Sequence, residues 1–336
     1  MPLEFGAKMT HSVISGSGSY VPEKVLSNKD LEKMLDTTDE WIFNRTGIRE
    51  RRVASQDMAA SDLAIPASKN ALEVAGVESK DIDLIILTTL TPDSMCPSAA
   101  CRLQAQIGAS RAMAFDLNAA CSGFVYGLQT ADAYIRSGIA KNILVVSVDI
   151  MTRVTNWTDR ASCILWGDGA GAVVMAPAEK GQAGLIYSRL YSDGIDGEHI
   201  VIVGGGSRLS PISPDDAKSN AHTLKMKGQE TFKMAVRHLS DVCTEMLEKN
   251  QMAVDDIDFF IPHQANIRII EAVAKRLNLP MDKVIVTVEK YGNMSSATIP
   301  VALDEWVREG KIQRGDKVLM AAFGGGLTWG AALVEW

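Results

Sequence analysis

The chain has 336 residues, 46% hydrophobic and 22% charged, which is long enough for two ordinary domains and close to the average composition of soluble proteins. Its formal net charge of −7 gives no electrostatic support to a general nucleic-acid role, so any polyanion would need a local basic patch. Five cysteines (Cys96, Cys101, Cys121, Cys163, Cys243) without a CxxC pair argue against a disulfide framework or a zinc site and fit a reducing cytoplasm.

The N-terminal "MPLEFGAKMTHSV" lacks a charged start followed by an apolar run, so no signal peptide is expected. No uncharged apolar run reaches the roughly 18 residues of a membrane span. Residues 72–93, "LEVAGVESKDIDLIILTTLTPD", predict an amphipathic helix, an acidic turn and a strand that is apolar throughout. The strand "RAMAFDL" then gives way to "CSGFVYGLQTADAYIRSG", whose apolar residues recur at helical spacing. After the strand "NILVVSV" comes a glycine cluster inside apolar sequence, "WGDGAGAVVM" (166–175). The polar stretch "GGGSRLSPISPDDAKSN" (204–220) reads as a surface excursion.

The pattern then returns. Residues 247–266, "LEKNQMAVDDIDFFIPHQAN", again predict helix, acidic turn and apolar strand, and "DID" recurs at 81–83 and 256–258, an offset of 175. The same offset carries Asn118 onto Asn293 and Cys121 onto Ser296, and sets "GIAKNILVV" (138–146) roughly against "GKIQRGDKVLM" (310–320). "FGGGLTWGAALVEW" (323–336) closes the chain as the earlier glycine cluster closes the first half. Four features in one order point to an internal duplication. Strands that are apolar throughout suit sheets covered by helices on both faces. The expectation is therefore two similar α/β halves, 1–182 and 183–336, related by a pseudo-twofold.

Cys121 lies where strand meets helix, among Ala119, Ala120, Ser122 and Gly123. A cysteine there is either core filler or a nucleophile whose pKa is lowered by the helix N-terminus. His263 ends the strand "DFFIPHQAN", and Asn293 lies in "YGNMSSATIP", the duplicate of the Cys121 turn. Taken singly, these are a satisfied strand-end histidine and a turn residue. Under a pseudo-twofold the equivalent turns face each other, so Cys121 and Asn293 converge and His263 arrives on the adjacent strand. The clusters "GSGS", "GDGAG" and "GGG" complete no dinucleotide or P-loop fingerprint. Arg268 and Lys275, seven apart in "NIRIIEAVAKRLN", share one helix face, either a basic dock or a solvated surface.

Together, "AACSGF", "PHQANIRI", "YGNMSSATIP", "FGGGLTWG" and "DTTDEWIFNRTGIRERR" (36–52) span essentially the whole chain. They resemble the motifs of the β-ketoacyl-acyl-carrier-protein synthase III family. The resemblance implies a thiolase-like fold, an α/β protein in a layered αβαβα arrangement, and a cytoplasmic homodimer. It implies an acyltransferase-class enzyme performing a decarboxylating Claisen condensation. An acyl-CoA primer acylates Cys121 and then meets a malonyl thioester on acyl carrier protein. The backbone amides of Cys121 and Gly325 would form the oxyanion hole, with donors from His263 Nε2 and the Asn293 amide stabilising the enolate. Related elongating enzymes use two histidines, so Asn293 favours the initiating type.

By the same resemblance Thr37, Trp41, Arg45, Arg160, Phe232 and Arg268 surround CoA. Lys233, Arg268, Lys275 and Arg276 would dock the acidic carrier protein, and Cys96, Met151 and Leu165 would line the acyl pocket. Cys96 stands where the family often has an aromatic that reaches across the dimer, so longer primers are expected to fit. No metal or cofactor is expected, since both thioesters are substrates. The alternatives are an acyltransferase acting on a hydroxyl or amine without decarboxylation, a silent partner subunit, and a nucleotide-binding module.

Overall fold

The computed structural model describes residues 11–179 and 182–336. The expected absence of a signal peptide falls largely on residues 1–10 and lies outside the described residues. Two principal sheets organise the chain. The first has the strand order Ser12–Tyr20, Asp168–Pro177, Ile143–Ile150, Leu84–Thr88, Met113–Leu117. Its last three strands run parallel, and the first two are antiparallel to their neighbours. Every residue of Leu84–Thr88 and Ile143–Ile150 is buried, which explains why neither segment alternates apolar with polar.

The second sheet repeats this plan with Phe259–Pro262, Lys317–Gly324, Thr328–Glu335 and Leu185–Ser192, the first pair parallel and the rest antiparallel. Where the first sheet has its edge strand Met113–Leu117, the second has only an isolated parallel bridge between Phe260 and Val284.

Helices Gly123–Arg136 and Thr298–Arg308 lie between the sheets, and one apolar core joins Phe124 and Leu128 to Ile299, Val318 and Ile261. A second core packs Ala60–Ala75 and Ala99–Ile107 on the outer face of the first sheet, through Leu63, Leu72 and Leu103. A third packs Gly228–Lys249 and Ile267–Leu277 on the outer face of the second. The result is the layered αβαβα arrangement. Fully burying each Leu or Ile in these cores contributes roughly 1.5–3 kcal/mol.

The duplication is sharpest at the two turns entering the central helices. Asn118 Oδ1 accepts the Ala120 N–H at 3.2 Å, and Asn293 Oδ1 accepts the Ser295 N–H at 2.8 Å. Ala120 and Ser295 take the left-handed conformation, at φ 47° and 50°. Each begins a single 3-10 turn, Ala120–Ser122 and Ser295–Ala297, that leads directly into its helix. Among the described residues no helix is long and apolar enough to cross a membrane.

Candidate functional site

The turns converge. A Cβ placed on Gly123 would meet the Ser296 Cβ at 3.1 Å, so the two helix entrances touch. Cys121, His263 and Asn293 line one small chamber of about 50 Å³, together with Met151, Phe323 and Gly325. The segment Gly324–Gly325 passes against the cysteine: a Cβ on Gly324 would stand 2.7 Å from the Cys121 nitrogen. That closeness requires glycine there and brings the Gly325 backbone to the chamber wall.

The histidine is held from behind. His263 Nδ1 lies 2.7 Å from Thr298 Oγ1, which also donates to the Ser295 carbonyl at 3.0 Å. With its one proton given to the Ser295 carbonyl, the Thr298 hydroxyl accepts from Nδ1–H, which leaves the Nε2 lone pair for the chamber. Burial pushes the imidazole pKa down to about 3, leaving the ring neutral at physiological pH.

Asn293 is fixed at three points. Its N–H donates to the Leu165 carbonyl at 2.8 Å, its own carbonyl accepts the Gly167 N–H at 3.1 Å, and its Oδ1 is taken by Ser295. With Oδ1 occupied, the amide nitrogen is the end available to a ligand.

The thiol departs from expectation. Burial, with a smaller contribution from the Asp149 charge, pushes the Cys121 pKa up to about 12, although the Ser295 hydroxyl donates to its sulfur at 3.5 Å. The helix N-terminus was expected to lower it. Removing the thiolate from water outweighs the dipole, because elements of the second half close over the sulfur. Cys121 is therefore a neutral thiol at rest.

A larger cavity of about 730 Å³ shares Asn293, Ala265 and Ile269 with the chamber and extends outward past Trp41, Arg45, Phe232 and Arg268. Its size suits a cofactor-sized ligand. The guanidinium carbons of Arg45 and Arg160 each lie 4.6 Å from the Trp41 ring centre, and that of Arg268 lies 5.7 Å from the Phe232 ring centre. At 4.6 Å no base fits between Arg160 and Trp41, so a stacking ligand must displace the arginine, which is otherwise tied to the Asp36 carbonyl. Thr37 stands apart from the walls, its hydroxyl buried without a hydrogen-bond partner.

Lys233 borders this cavity, while Lys275 and Arg276 lie further along the exposed face of the helix that carries Arg268. Of the expected acyl-pocket residues, Met151 lines the chamber and Leu165 lines the outer cavity instead. Cys96 lines neither, because its loop is exposed on the surface of the chain. Among the described residues no three His, Cys, Asp or Glu side chains cluster as metal ligands would.

Three residues escaped the sequence reading. Arg51 is fully buried and donates to the carbonyls of Leu26 and Ile164 and to Asn28 Oδ1, bracing the segment that anchors Asn293. Asp149 is buried where the halves meet, taking the Leu90 N–H at 2.8 Å and the Ser296 hydroxyl at 2.8 Å. Ser295 bonds Cys121 and Asn293 and is linked to His263 through Thr298, and the only trace of it in the sequence is its alignment with Ala120 at offset 175.

A buried cysteine and a histidine–asparagine pair, brought together by the two halves of a duplicated αβαβα fold, define a thiolase-fold condensing enzyme of the transferase class. Models of 3-oxoacyl-[acyl-carrier-protein] synthase III match residues 115–194 and, for its C-terminal part, 247–336. The chain is 51% identical to the beta-ketoacyl-[acyl-carrier-protein] synthase III of Xanthomonas oryzae, covering 98% of this chain and 100% of that one. It is 49% identical to the Clostridioides difficile protein of the same name, over 97% and 99%. The crystal structure of the Aquifex aeolicus 3-oxoacyl-[acyl-carrier-protein] synthase III superposes with a TM-score of 0.89 at 46% identity, covering 97% and 100%. The chain belongs to the β-ketoacyl-acyl-carrier-protein synthase III family.

Proposed function

We propose that the chain joins an acyl-CoA primer to a malonyl thioester on acyl carrier protein, releasing carbon dioxide and initiating fatty-acid or related biosynthesis. The observation that carries this reading is the single chamber shared by Cys121, His263 and Asn293, opening into an arginine-lined cavity.

CoA enters past Trp41 with its phosphates among Arg45, Arg160 and Arg268, whose guanidinium forks match phosphate geometry. The Cys121 thiol is neutral, so its proton leaves toward His263 Nε2 as the sulfur attacks the thioester carbonyl. The amides of Cys121 and Gly325 receive the oxyanion, CoA departs as a thiolate that takes its proton from solvent, and the acyl group stays on sulfur while the thiol's proton stays on Nε2. A malonyl thioester then occupies the cavity. Loss of carbon dioxide leaves an enolate whose oxygen takes hydrogen bonds from His263 Nε2–H and the Asn293 amide. Its carbon attacks the acyl-Cys121 carbonyl, and the cysteine leaves as thiolate and takes the proton back from His263 Nε2.

The same reading makes the carrier protein an acidic partner of the face formed by Lys233, Arg268, Lys275 and Arg276. It divides the chain into halves 1–182 and 183–336, and it takes the working form as a cytoplasmic homodimer in which the exposed Cys96 loop meets the partner's acyl pocket. Family membership favours condensation over acyl transfer to a hydroxyl or amine.

The test is intact-protein mass spectrometry with a panel of acyl-CoAs, followed by carbon dioxide release from labelled malonyl carrier protein. Acyl adducts should form on the wild type and not on Cys121→Ala, and carbon dioxide should appear with β-ketoacyl product. Adducts on another cysteine, or product without carbon dioxide, would refute it.

A further inference from the structure

We infer that Ser295 is a further catalytic residue of the acylation half-reaction, its hydroxyl holding the Cys121 sulfur as it becomes a thiolate. The inference rests on Cys121 being the acylated residue.

Ser295 bonds Cys121 and Asn293 directly and is linked to His263 through Thr298, each by a different group. Its hydroxyl lies 3.5 Å from Cys121 Sγ, hydrogen-bonding distance for sulfur. Its N–H donates to Asn293 Oδ1 at 2.8 Å, and its carbonyl takes the Thr298 hydroxyl that contacts His263. The backbone contacts hold Asn293 and His263 in place, and the hydroxyl remains for the sulfur.

The titratable groups facing that sulfur are His263, from the end of Phe259–Pro262, and Asp149, from Ile143–Ile150. The Ser295 hydroxyl also faces Asp149. Asp149 does not need it. Its two oxygens already accept five donors within 3.2 Å: the Thr89 and Thr91 hydroxyls, the Leu90 N–H, and the Ser296 N–H and hydroxyl. A carboxylate so saturated gains little from a sixth donor, whereas the sulfur has no other hydroxyl within reach among the described residues. A donor beside the sulfur opposes the repulsion between Asp149 and a forming thiolate, so it acts where burial makes ionisation hardest.

The duplicated turn supplies a clean control. Ala120 holds the equivalent left-handed position at φ 47°, so alanine at 295 can keep the backbone at its φ of 50°. Glycine suits that conformation as well. Ser295→Ala and Ser295→Gly thus both remove the hydroxyl and leave its backbone hydrogen bonds in place.

The experiment measures iodoacetamide alkylation of Cys121 against pH, together with single-turnover acyl transfer from acetyl-CoA. Losing a hydrogen bond to a charged group is a change of about ten- to a hundredfold. Both variants should therefore slow alkylation at least about tenfold at every pH across the neutral to mildly alkaline range and slow acyl transfer at neutral pH by as much, with KM for acetyl-CoA unchanged. Wild-type alkylation profiles in both variants would overturn the inference. So would a slowed glycine variant beside a normal alanine variant, which would trace the effect to the backbone. If the wild-type adduct maps to another cysteine, the assignment of Cys121 itself fails, an outcome distinct from either of these.

Discussion

Alanine in place of Gly324 would place a methyl group 2.7 Å from the Cys121 nitrogen and 3.2 Å from its Cα and Cβ. Ordinary contact begins at 3.4 Å, so the glycine strand and the cysteine turn would have to separate by about 0.7 Å. Neither can yield cheaply. Both are buried backbone, one tied into the sheet by the Gly324–Thr328 pair and the other into a helix entrance. Overpacking of this kind costs about 1–3 kcal/mol, which leaves a protein of ordinary stability folded. The effect on chemistry should be larger, because the displacement falls on the proposed nucleophile and on one proposed oxyanion donor, and a misplacement of about 1 Å can cost on the order of a hundredfold. Gly324→Ala should remain folded in thermal and urea melts while acylation from acetyl-CoA, followed by mass spectrometry at timed quench, falls at least about thirtyfold. Gly194→Ala is the control, since a Cβ there meets nothing within 4 Å. A Gly324→Ala protein that acylates at the wild-type rate would refute the placement of this strand against Cys121.

Other outcomes follow from the same geometry. The folded His263 has its pKa pushed down to about 3 against 6.5 for a free histidine, so the native state binds fewer protons than the unfolded chain below pH 6.5. Its contribution is fully present above pH 6.5 and is lost on acidification, by about 3 kcal/mol at pH 4; His263→Gln should flatten that part of the urea stability profile, and unchanged acid sensitivity would count against it. Arg51→Met removes three hydrogen bonds, two of them fully buried, and should cost about 3 kcal/mol or more in urea melts, with kcat falling too because Ile164 adjoins the Leu165 carbonyl that holds Asn293. Arg268→Glu should weaken condensation with malonyl carrier protein, more at low salt than at high; a salt-independent defect would remove the electrostatic docking argument.

What was legible in the sequence was what repetition and local pattern encode. The offset of 175 located both turns, and runs without alternation in Leu84–Thr88 and Ile143–Ile150 marked strands covered on both faces. Combining the repeat with residue chemistry was enough to place Cys121, Asn293 and His263 in one chamber. Contacts between distant segments were not legible. Nothing in "RERR" sets Arg51 apart from its charged neighbours, and its burial depends on Gly167 and Gly292, whose missing side chains make room for it: a Cβ on either would come within 3.3 Å of the Arg51 Cβ. Leu165 was expected at the acyl group and lies in the outer cavity, because its loop is pinned by the backbone of Asn293 rather than by its own apolar side chain.

The thiol pKa shows why local and global arguments parted at Cys121. A helix N-terminus is a local feature, and the sequence around Cys121 announces it. Desolvation is set by what closes over the sulfur, and that includes Ser295 and Phe323 from the other half of the chain. A thiol enclosed at the seam of two halves is thus protected from water and hard to ionise for the same reason. Such a site must supply its own means of removing the proton. The second copy of the turn provides them: where the first copy has Ala120 and Gly123, the second has Ser295 beside the sulfur and Thr298 behind the histidine. Duplication gave the fold two equivalent helix entrances, and their divergence put the Cys121 thiol at one and the Ser295 and Thr298 hydroxyls at the other.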